Sequence, residues 1–399
     1  MASTCRRDET GLFARVEALA DRFQAEAVEE YVRWFSGIIA EELGLWRADE
    51  LEARYRRVRR TRPFAGDPSR VGTVFVLSRV TLGAEIAVTS LALEAARRRF
   101  PSSRIVLVGG GKSRDLFAAD PRIEHAPLDY ERRAGLSRRL AAGLELRGRL
   151  AEPDSIVVDP DSRLTQLGLL PVCEEERYYF FESRSWGGQS HSAISRLTAE
   201  WLETAFGVAG LHPWIAPAGP RAAPCGIAVS FGVGENPAKR LPDPFERELL
   251  RGLAALGLPL LVDTGPGGEE AERVRRALAQ ARLPSEQVAL FEGTFAQFAL
   301  QIAAARLYVG YDSAGQHAAA ALGVPCLTVF AGFPNERFFA RWQPSGPGPK
   351  ITVRVEDPAD VEGVLARALE AARRLLAAGP AGLAQLSSMG TTRTNSPIT

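Results

Sequence analysis

Residues 307–330 read LYVGYDSAGQHAAAALGVPCLTVF and give the strongest indication of the fold. One apolar run ends at Asp312-Ser313, an alanine-rich segment follows, and Gly323-Val-Pro325 leads into a second apolar run. Short apolar runs bounded by turn residues are typical of strands buried on both faces of a parallel sheet, and such strands are connected by a helix. The stretch therefore predicts a strand, a helix and a second, parallel strand.

The same alternation of strands and helices extends over most of the chain. It predicts one α/β domain over residues 69–211 and another over residues 226–378, joined by a proline-rich linker at 212–225. The predicted strands are 73–78, 104–108 and 155–159 in the first domain, and 226–231, 258–263, 288–291, 306–310 and 326–330 in the second. We therefore expect two Rossmann-like domains that face each other across a cleft. Ligands of such sheets bind at the carboxyl ends of the strands.

The two ends of the chain have a different character. Residues 1–68 are predicted to form a helical extension, because apolar residues recur every three or four positions from Leu12 to Leu43. The last predicted helix covers about 358–377, and the polar segment 379–399 is predicted to be a disordered tail.

The composition predicts a soluble cytoplasmic protein. The 399 residues include 49 basic and 48 acidic side chains, so bulk charge gives no support for nucleic-acid binding. No apolar run reaches the roughly 20 residues that cross a bilayer, and the polar N-terminus has no signal-peptide core. The 4 cysteines lie far apart in sequence, which favours reduced thiols over a metal site.

The turn at Asp312-Ser313 is a candidate phosphate site. A helix that begins here presents free N–H groups and the positive end of its dipole, and Gly315 leaves room for close approach. His317 follows Ser313 by one helical turn and so lies on the same face. The alternative is that Asp312 or Ser313 only caps the helix and that His317 is a surface side chain.

Two further loops are predicted to open at the same edge of the second sheet. One follows the strand at 226–231 and contains Lys239, and the other follows the strand at 258–263 and contains Glu269 and Glu270. A lysine can neutralise a diphosphate, and a carboxylate can accept hydrogen bonds from both hydroxyls of a ribose. Together with the Asp312 turn, these loops indicate a nucleotide diphosphate.

These motifs resemble glycosyltransferase family 9, the group of the lipopolysaccharide heptosyltransferases. The resemblance rests on Asp312-Ser-Ala-Gly-Gln-His317, on Gly323-Val-Pro325, on Phe330-Ala-Gly332 and on Lys239-Arg-Leu-Pro242, and it covers about residues 72–375 in order. It implies a GT-B fold and an inverting glycosyltransferase that needs no metal or other cofactor. The donor would be a nucleotide-diphosphate sugar, with ADP-heptose as one candidate, and the acceptor a glycan or lipid-linked hydroxyl.

The resemblance also assigns roles to residues. Lys239 would hold the donor phosphate, one of Glu269 or Glu270 the ribose, and the other donor-site residues would be Asp312, Ser313, Gly315 and His317. In the first domain, alignment on Thr89 puts Glu85 at the family's catalytic aspartate. Independently of the resemblance, Arg79 and Arg163 follow predicted strands and are candidates for contact with the acceptor.

Other interpretations of the first-domain residues remain open. Glu85 could interact only with the dipole at a helix start, Arg79 could form a buried ion pair, and Asp159-Pro-Asp-Ser-Arg163 could be a capped turn. The arginines between positions 132 and 149 fit a solvated helix face or peripheral contact with the inner membrane surface.

Three functions therefore remain. The first is the transferase. The second is a sugar-nucleotide-binding protein that has lost its catalytic base, and the third is another GT-B enzyme such as a sugar-nucleotide epimerase.

Overall fold

A computed structural model describes residues 9–234, 236–265 and 267–378. The tail predicted at 379–399 lies outside these residues, as do the first eight residues of the predicted extension. The chain divides into two compact units: unit 1 comprises Met1–Ala218 with Phe333–Ser345, and unit 2 comprises Gly219–Gly332 with Gly346–Thr399.

Unit 1 is built on a five-stranded parallel sheet of order β3-β2-β1-β4-β5. Its strands are β1 Thr73–Leu77, β2 Arg104–Gly109, β3 Ile123–Pro127, β4 Ser155–Asp159 and β5 Tyr178–Phe180. The order reverses between β1 and β4, because the chain leaves β1 towards β2 and β3 and later returns to the other side of β1. At such a reversal the loops after the two central strands diverge and leave room for a ligand.

Eight helices in the described part of the chain surround the first sheet. They are α1 Glu9–Ala20, α2 Ala25–Leu43, α3 Ala48–Val58, α4 Leu82–Ala84, α5 Ser90–Arg99, α6 Gly111–Asp115, α7 Leu136–Arg149 and α8 Ile194–Phe206. Between α4 and α5 the chain makes a wider π-helical turn, Glu85–Thr89. Such turns are found mainly at functional sites, and this one begins at Glu85.

Helices α1 to α3 form a layer on one face of this sheet. Tyr31 and Phe35 of α2 and Tyr55 of α3 are fully buried in the same core as Phe75 of β1 and Val157 of β4. Burial of one large apolar side chain stabilises a fold by about 1.5–3 kcal/mol. The N-terminal helices are therefore an integral layer of unit 1.

Unit 2 is built on a six-stranded parallel sheet of order β11-β10-β9-β6-β7-β8. Its strands are β6 Cys225–Ser230, β7 Leu260–Asp263, β8 Val288–Phe291, β9 Ala305–Tyr311, β10 Cys326–Phe330 and β11 Lys350–Arg354. The strand order reverses between β6 and β9. The loops after these two strands contain Lys239 and Asp312, respectively.

The helices α9 to α12 and α14 of the described residues cover the second sheet. They are α9 Phe245–Ala254, α10 Gly268–Ala281, α11 Phe295–Ala303, α12 Ala314–Ala321 and α14 Val361–Ala377. The short helix α13, Glu336–Arg341, lies in the segment of the chain that belongs to unit 1. Arg341 of this helix is fully buried and donates to the carbonyl oxygens of Ser190 and Ser192, at 2.8 Å each.

The predicted fold class is confirmed, because both units are parallel α/β sheets. The prediction missed β3, β5 and β11, which are edge strands whose half-exposed or short sequences lack a continuous apolar run. It also placed residues 333–345 in the second domain, whereas they pack in unit 1. Aromatic contacts of Phe338 and Trp342 with Phe23 explain why this segment packs in unit 1. No periodic pattern in the sequence indicates these contacts.

No helix of the described residues has the length and apolar character that a membrane span requires.

The loop that contains Lys239 packs against Gly332, whose φ is +64°. A Cβ atom at Gly332 would lie 2.3 Å from the carbonyl oxygen of Ala238. We expect Gly332→Ala to lower the free energy of unfolding of unit 2 by more than the about 1–2 kcal/mol that positive φ alone costs a non-glycine residue. Far-UV circular dichroism in a urea titration measures the loss.

Gly257→Ala is the matched control, because Gly257 has a φ of +75° and a Cβ there would meet no atom within 4 Å. The six tryptophans all lie in unit 1, so their fluorescence reports unit 1 separately. Equal losses for the two variants would contradict the packing argument.

Candidate functional site

The strand reversal of unit 2 brings Lys239 and Asp312 together. The Lys239 Nζ atom lies 2.6 Å from Asp312 Oδ2 and also donates to the Asp312 carbonyl oxygen at 3.2 Å. Asp312 is only 3% exposed, so burial raises its pKa and Lys239 opposes that rise. A cation is thus fixed beside the first turn of α12.

The start of α12 is open in the way an anion site requires. Ser313 precedes the helix in an extended conformation, and its side chain makes no cap hydrogen bond. Asp312 is held instead by Lys239 and by the side-chain amide of Gln316. The Ser313 side chain therefore does not occupy the first-turn N–H groups, and the helix dipole adds positive potential there.

Gly315 has a packing role that the sequence did not reveal. A Cβ atom at this position would lie 2.0 Å from the hydroxyl oxygen of Tyr308 on β9. Gly315 therefore allows α12 to approach its own sheet, and any contact with a ligand would be additional.

His317 is buried rather than a surface side chain, with 4% of its surface exposed. Burial, and secondarily the positive charge of Lys239, lowers its pKa to about 3. The imidazole is therefore neutral at physiological pH, so it adds no charge to the site but can form hydrogen bonds.

Glu270 and Glu269 occupy different environments at the start of α10. Glu270 is partly buried, its Oε1 atom lies against Gly232 and Gly265, and its Oε2 atom is 3.9 Å from Arg240. Burial raises the pKa of Glu270. Glu269 is exposed to solvent. Of the two predicted ribose partners, Glu270 is the one at the edge where β6 and β7 end.

Sequence reasoning missed Ser230 and Asp263, the last residues of β6 and β7. Ser230 Oγ donates to Asp263 Oδ2 at 3.1 Å, and the Gly265 amide donates to Asp263 Oδ1 at 3.1 Å. The sequence feature that could have indicated these two residues is a polar residue at the end of an apolar strand. These hydrogen bonds hold the turn after β7, which precedes Glu270.

Glu85 lies at the strand reversal of unit 1 but is completely buried. Its Oε1 atom accepts hydrogen bonds from the Val80 amide at 2.7 Å, from Ser113 Oγ at 3.1 Å and from Ser78 Oγ. Burial raises the pKa of Glu85, and these hydrogen bonds oppose the rise. A general base must reach the proton that it removes, so its catalytic role stays a prediction that this conformation does not favour.

The two predicted acceptor-side arginines differ in their partners. Arg163 forms a bidentate pair with Glu17 of α1, with distances of 2.5 and 2.6 Å. Arg79 is half-buried and donates to Ser183 Oγ at 3.0 Å, and it forms no ion pair with a described carboxylate. Both line a cavity of about 70 Å³ in unit 1, together with Asp161 and Arg184, which sequence reasoning had not selected as site residues.

Asp159 has a structural role at the carboxyl end of β4. Its carboxylate accepts from the Ser162 amide at 2.6 Å, from Thr165 Oγ1 at 2.6 Å and from the Tyr178 hydroxyl at 2.5 Å. Burial raises the pKa of Asp159 to about 6. This carboxylate holds the turn that carries Asp161 towards the cavity.

Comparison with known proteins identifies the second half of the chain. Residues 226–347 match the model of "Glycosyltransferase family 9 (heptosyltransferase)". This stretch, called the family 9 domain below, is similar to that family. The domain begins one residue into β6 and contains Lys239, Glu270, Asp312 and His317, so the predicted resemblance is confirmed.

Solved structures agree with the family 9 domain in fold. The glycosyl transferase family 9 protein from Veillonella parvula DSM 2008 is 18% identical, with a TM-score of 0.57 over 78% of this chain and 99% of that chain. Escherichia coli ADP-heptose lps heptosyltransferase II is also 18% identical, with a TM-score of 0.54 over 76% and 98% of the two chains. Escherichia coli heptosyltransferase WaaC with ADP is 15% identical, with a TM-score of 0.53 over 74% and 99%. No curated protein sequence matches the chain.

The buried imidazole of the family 9 domain predicts a pH dependence of stability. The unfolded chain binds a proton at His317 below about pH 6.5, whereas the folded chain, with a pKa of about 3, does not. The free energy of unfolding therefore falls as pH drops from about 6.5 towards 3. We expect His317→Gln to lose up to about 2 kcal/mol less than the wild type between pH 7 and pH 5, measured by urea titration.

His191→Gln is the control for loss of an imidazole, because His191 is exposed to solvent and belongs to unit 1. Parallel pH profiles for the wild type and His317→Gln would contradict a buried, neutral imidazole.

Proposed function

We propose that the protein transfers a sugar from a nucleotide-diphosphate donor to an acceptor hydroxyl, and that unit 2 binds the donor. The observation that supports this most is the position of Lys239, beside the open N-terminus of α12 and at the strand reversal of the second sheet. Cations and free backbone amides at such a reversal are the usual means of binding a diphosphate.

Lys239 and the start of α12 would also stabilise the leaving group during sugar transfer. When the bond between the sugar and the diphosphate breaks, negative charge accumulates on the leaving group. A cation and oriented N–H groups that are already in place stabilise this charge without reorganisation. Asp312 holds Lys239 in position, and a diphosphate would compete for the same ammonium group.

Glu270 is suited to the ribose of the donor. Its carboxylate lies where β6 and β7 end, against two glycines that leave the edge of the sheet open. A carboxylate accepts two hydrogen bonds from vicinal hydroxyls, as in other Rossmann-like nucleotide sites. This assignment places the base and ribose on one side of the strand reversal and the diphosphate above it.

ADP-heptose is the donor that we propose to test first. Two of the similar structures are named for an ADP-heptose heptosyltransferase and for a heptosyltransferase with ADP. We propose an inverting transfer to a glycan or lipid-linked hydroxyl bound by unit 1. For Glu85 to act as the base, its buried carboxylate would have to become accessible to the acceptor. Its Oε1 atom is held by Ser78 and Ser113, whereas its Oε2 atom has no hydrogen-bond partner among the described residues.

A sugar-nucleotide-binding protein without transferase activity is the second candidate. The burial of Glu85 favours it, because this carboxylate is engaged by three protein donors. The two functions differ in turnover, since only the transferase releases free nucleotide diphosphate when an acceptor is present.

Binding of ADP-heptose tests the donor site. A hydrogen bond from a charged donor contributes about 1.5–3 kcal/mol, so we expect Lys239→Gln to weaken binding about ten- to hundredfold in calorimetry. Lys239→Arg keeps the charge and should retain more of the affinity. Arg275→Gln removes an exposed cation from the same unit and is the control.

Three outcomes are informative. Loss of affinity in Lys239→Gln with release of ADP in the presence of cell-extracted glycolipid supports the transferase. The same loss without release of ADP supports the binding protein. Equal affinity of the wild type, Lys239→Gln and Arg275→Gln would contradict the proposed donor site.

A further inference from the structure

The cavity of unit 1 lies where β1, β4 and β5 end. It is about 70 Å³ in volume, and Arg79, Asp161 and Arg184 are in its wall together with Phe23 and Trp342. One water needs roughly 10–15 Å³ of such space, so several water-sized groups fit. The cavity is therefore large enough for one charged group and a neighbouring hydroxyl.

One cation in this wall has an unsatisfied nitrogen, and a second has no ionic partner among the described residues. Arg184 is 3% exposed and pairs with Asp161 at 3.1 Å, yet its Nη1 atom is buried and meets no hydrogen-bond acceptor among the described residues. Arg79 forms no ion pair with a described carboxylate, and burial lowers its pKa. A buried donor without a partner costs about 1–3 kcal/mol, and more when it is charged. An anion in the cavity would give Arg184 Nη1 an acceptor and Arg79 an ionic partner.

Asp161 adds an unused acceptor to the same wall. Its Oδ2 atom accepts from Ser183 Oγ at 2.7 Å and from Arg184, whereas its buried Oδ1 atom has no donor among the described residues. Its backbone φ is +67°, a conformation that is uncommon for residues other than glycine. Residues held in such conformations cluster at ligand sites. The free oxygen requires a donor, for which a hydroxyl is suited.

Helices α1 to α3 help to build this wall. The hydroxyl of Tyr55 on α3 accepts from Arg184 Nη2 at 2.8 Å, and the ring of Tyr31 on α2 lies 5.0 Å from the Arg184 guanidinium carbon. Glu17 of α1 holds Arg163, and Phe23 lies in the wall itself. The N-terminal layer therefore determines where the cationic groups lie.

We propose that α1 to α3 complete a binding pocket for a hydroxylated anion, such as a sugar carboxylate or a sugar phosphate. The anionic oxygens contact Arg79 and Arg184, and a hydroxyl of the same molecule donates to Asp161 Oδ1. That this molecule is the acceptor end of the glycan rests on the proposed function. Binding of the hydroxylated anion in this pocket does not depend on the proposed function.

Calorimetric titration of the full chain with three hexoses tests the proposal. Glucuronate and glucose 6-phosphate carry the two kinds of anion, and glucose is the neutral control. We expect binding of at least one anionic hexose, at least tenfold tighter than glucose, and a change in tryptophan fluorescence because Trp342 is in the wall. The better of the two anions identifies the kind of charged group.

Two variants test the residues. Arg79→Gln should weaken binding of the anionic hexose about ten- to hundredfold, whereas Arg196→Gln, an exposed cation on α8, should leave it unchanged. Tyr55→Phe removes only the hydroxyl that positions Arg184. It should weaken the anionic hexose several-fold and leave ADP-heptose binding unaffected, an effect that a purely structural role would not produce.

The outcomes separate this proposal from the donor site. Absence of anionic-hexose binding, or glucose binding of equal strength, would overturn the pocket even when ADP-heptose binds. Absence of ADP-heptose binding with intact anionic-hexose binding would overturn the proposed function and leave the pocket standing.

Discussion

The contact between the Lys239 ammonium and the Asp312 carboxylate is the interaction on which the donor site depends. It joins the loop after β6 to the loop after β9, the two strands between which the sheet order reverses. Asp312 is almost completely buried, so its charge requires a partner, and Lys239 is the cation within reach. The pair holds the Lys239 ammonium beside the start of α12. A bound diphosphate would share that charge with the carboxylate.

Both units use the same principle of construction with different side chains. In each sheet the chain turns away in opposite directions after two neighbouring central strands, and the polar residues that follow them meet. Unit 2 places there a lysine, an open helix start and a glutamate. Unit 1 places there a fully buried glutamate, Glu85, and a cavity whose wall contains Arg184, with one unsatisfied nitrogen, and Arg79. This difference is consistent with one unit that binds a nucleotide and another that binds a separate anion.

Sequence patterns predicted the interior strands because those strands are continuous apolar runs, as with β4 and β10, whose predicted and observed bounds agree. They also predicted that Lys239 and Asp312 lie at one edge, since carboxyl ends of parallel strands share an edge. The burial of Glu85 could not be predicted, because it depends on contacts with residues distant in sequence such as Ser113 on α6. Likewise, Arg184 is positioned by Tyr55, 129 residues away in sequence, and only the folded chain brings the two together.

The proposed donor site requires that Lys239 and the start of α12 bind the diphosphate itself rather than the nucleoside. Competition titrations of the wild type and Lys239→Gln with ADP, AMP and adenosine separate these contributions. We predict that ADP binds the wild type at least tenfold tighter than adenosine and that most of this difference disappears in the variant. An equal preference for ADP over adenosine in both proteins, or no preference in the wild type, would contradict the proposed contact between Lys239 and the diphosphate.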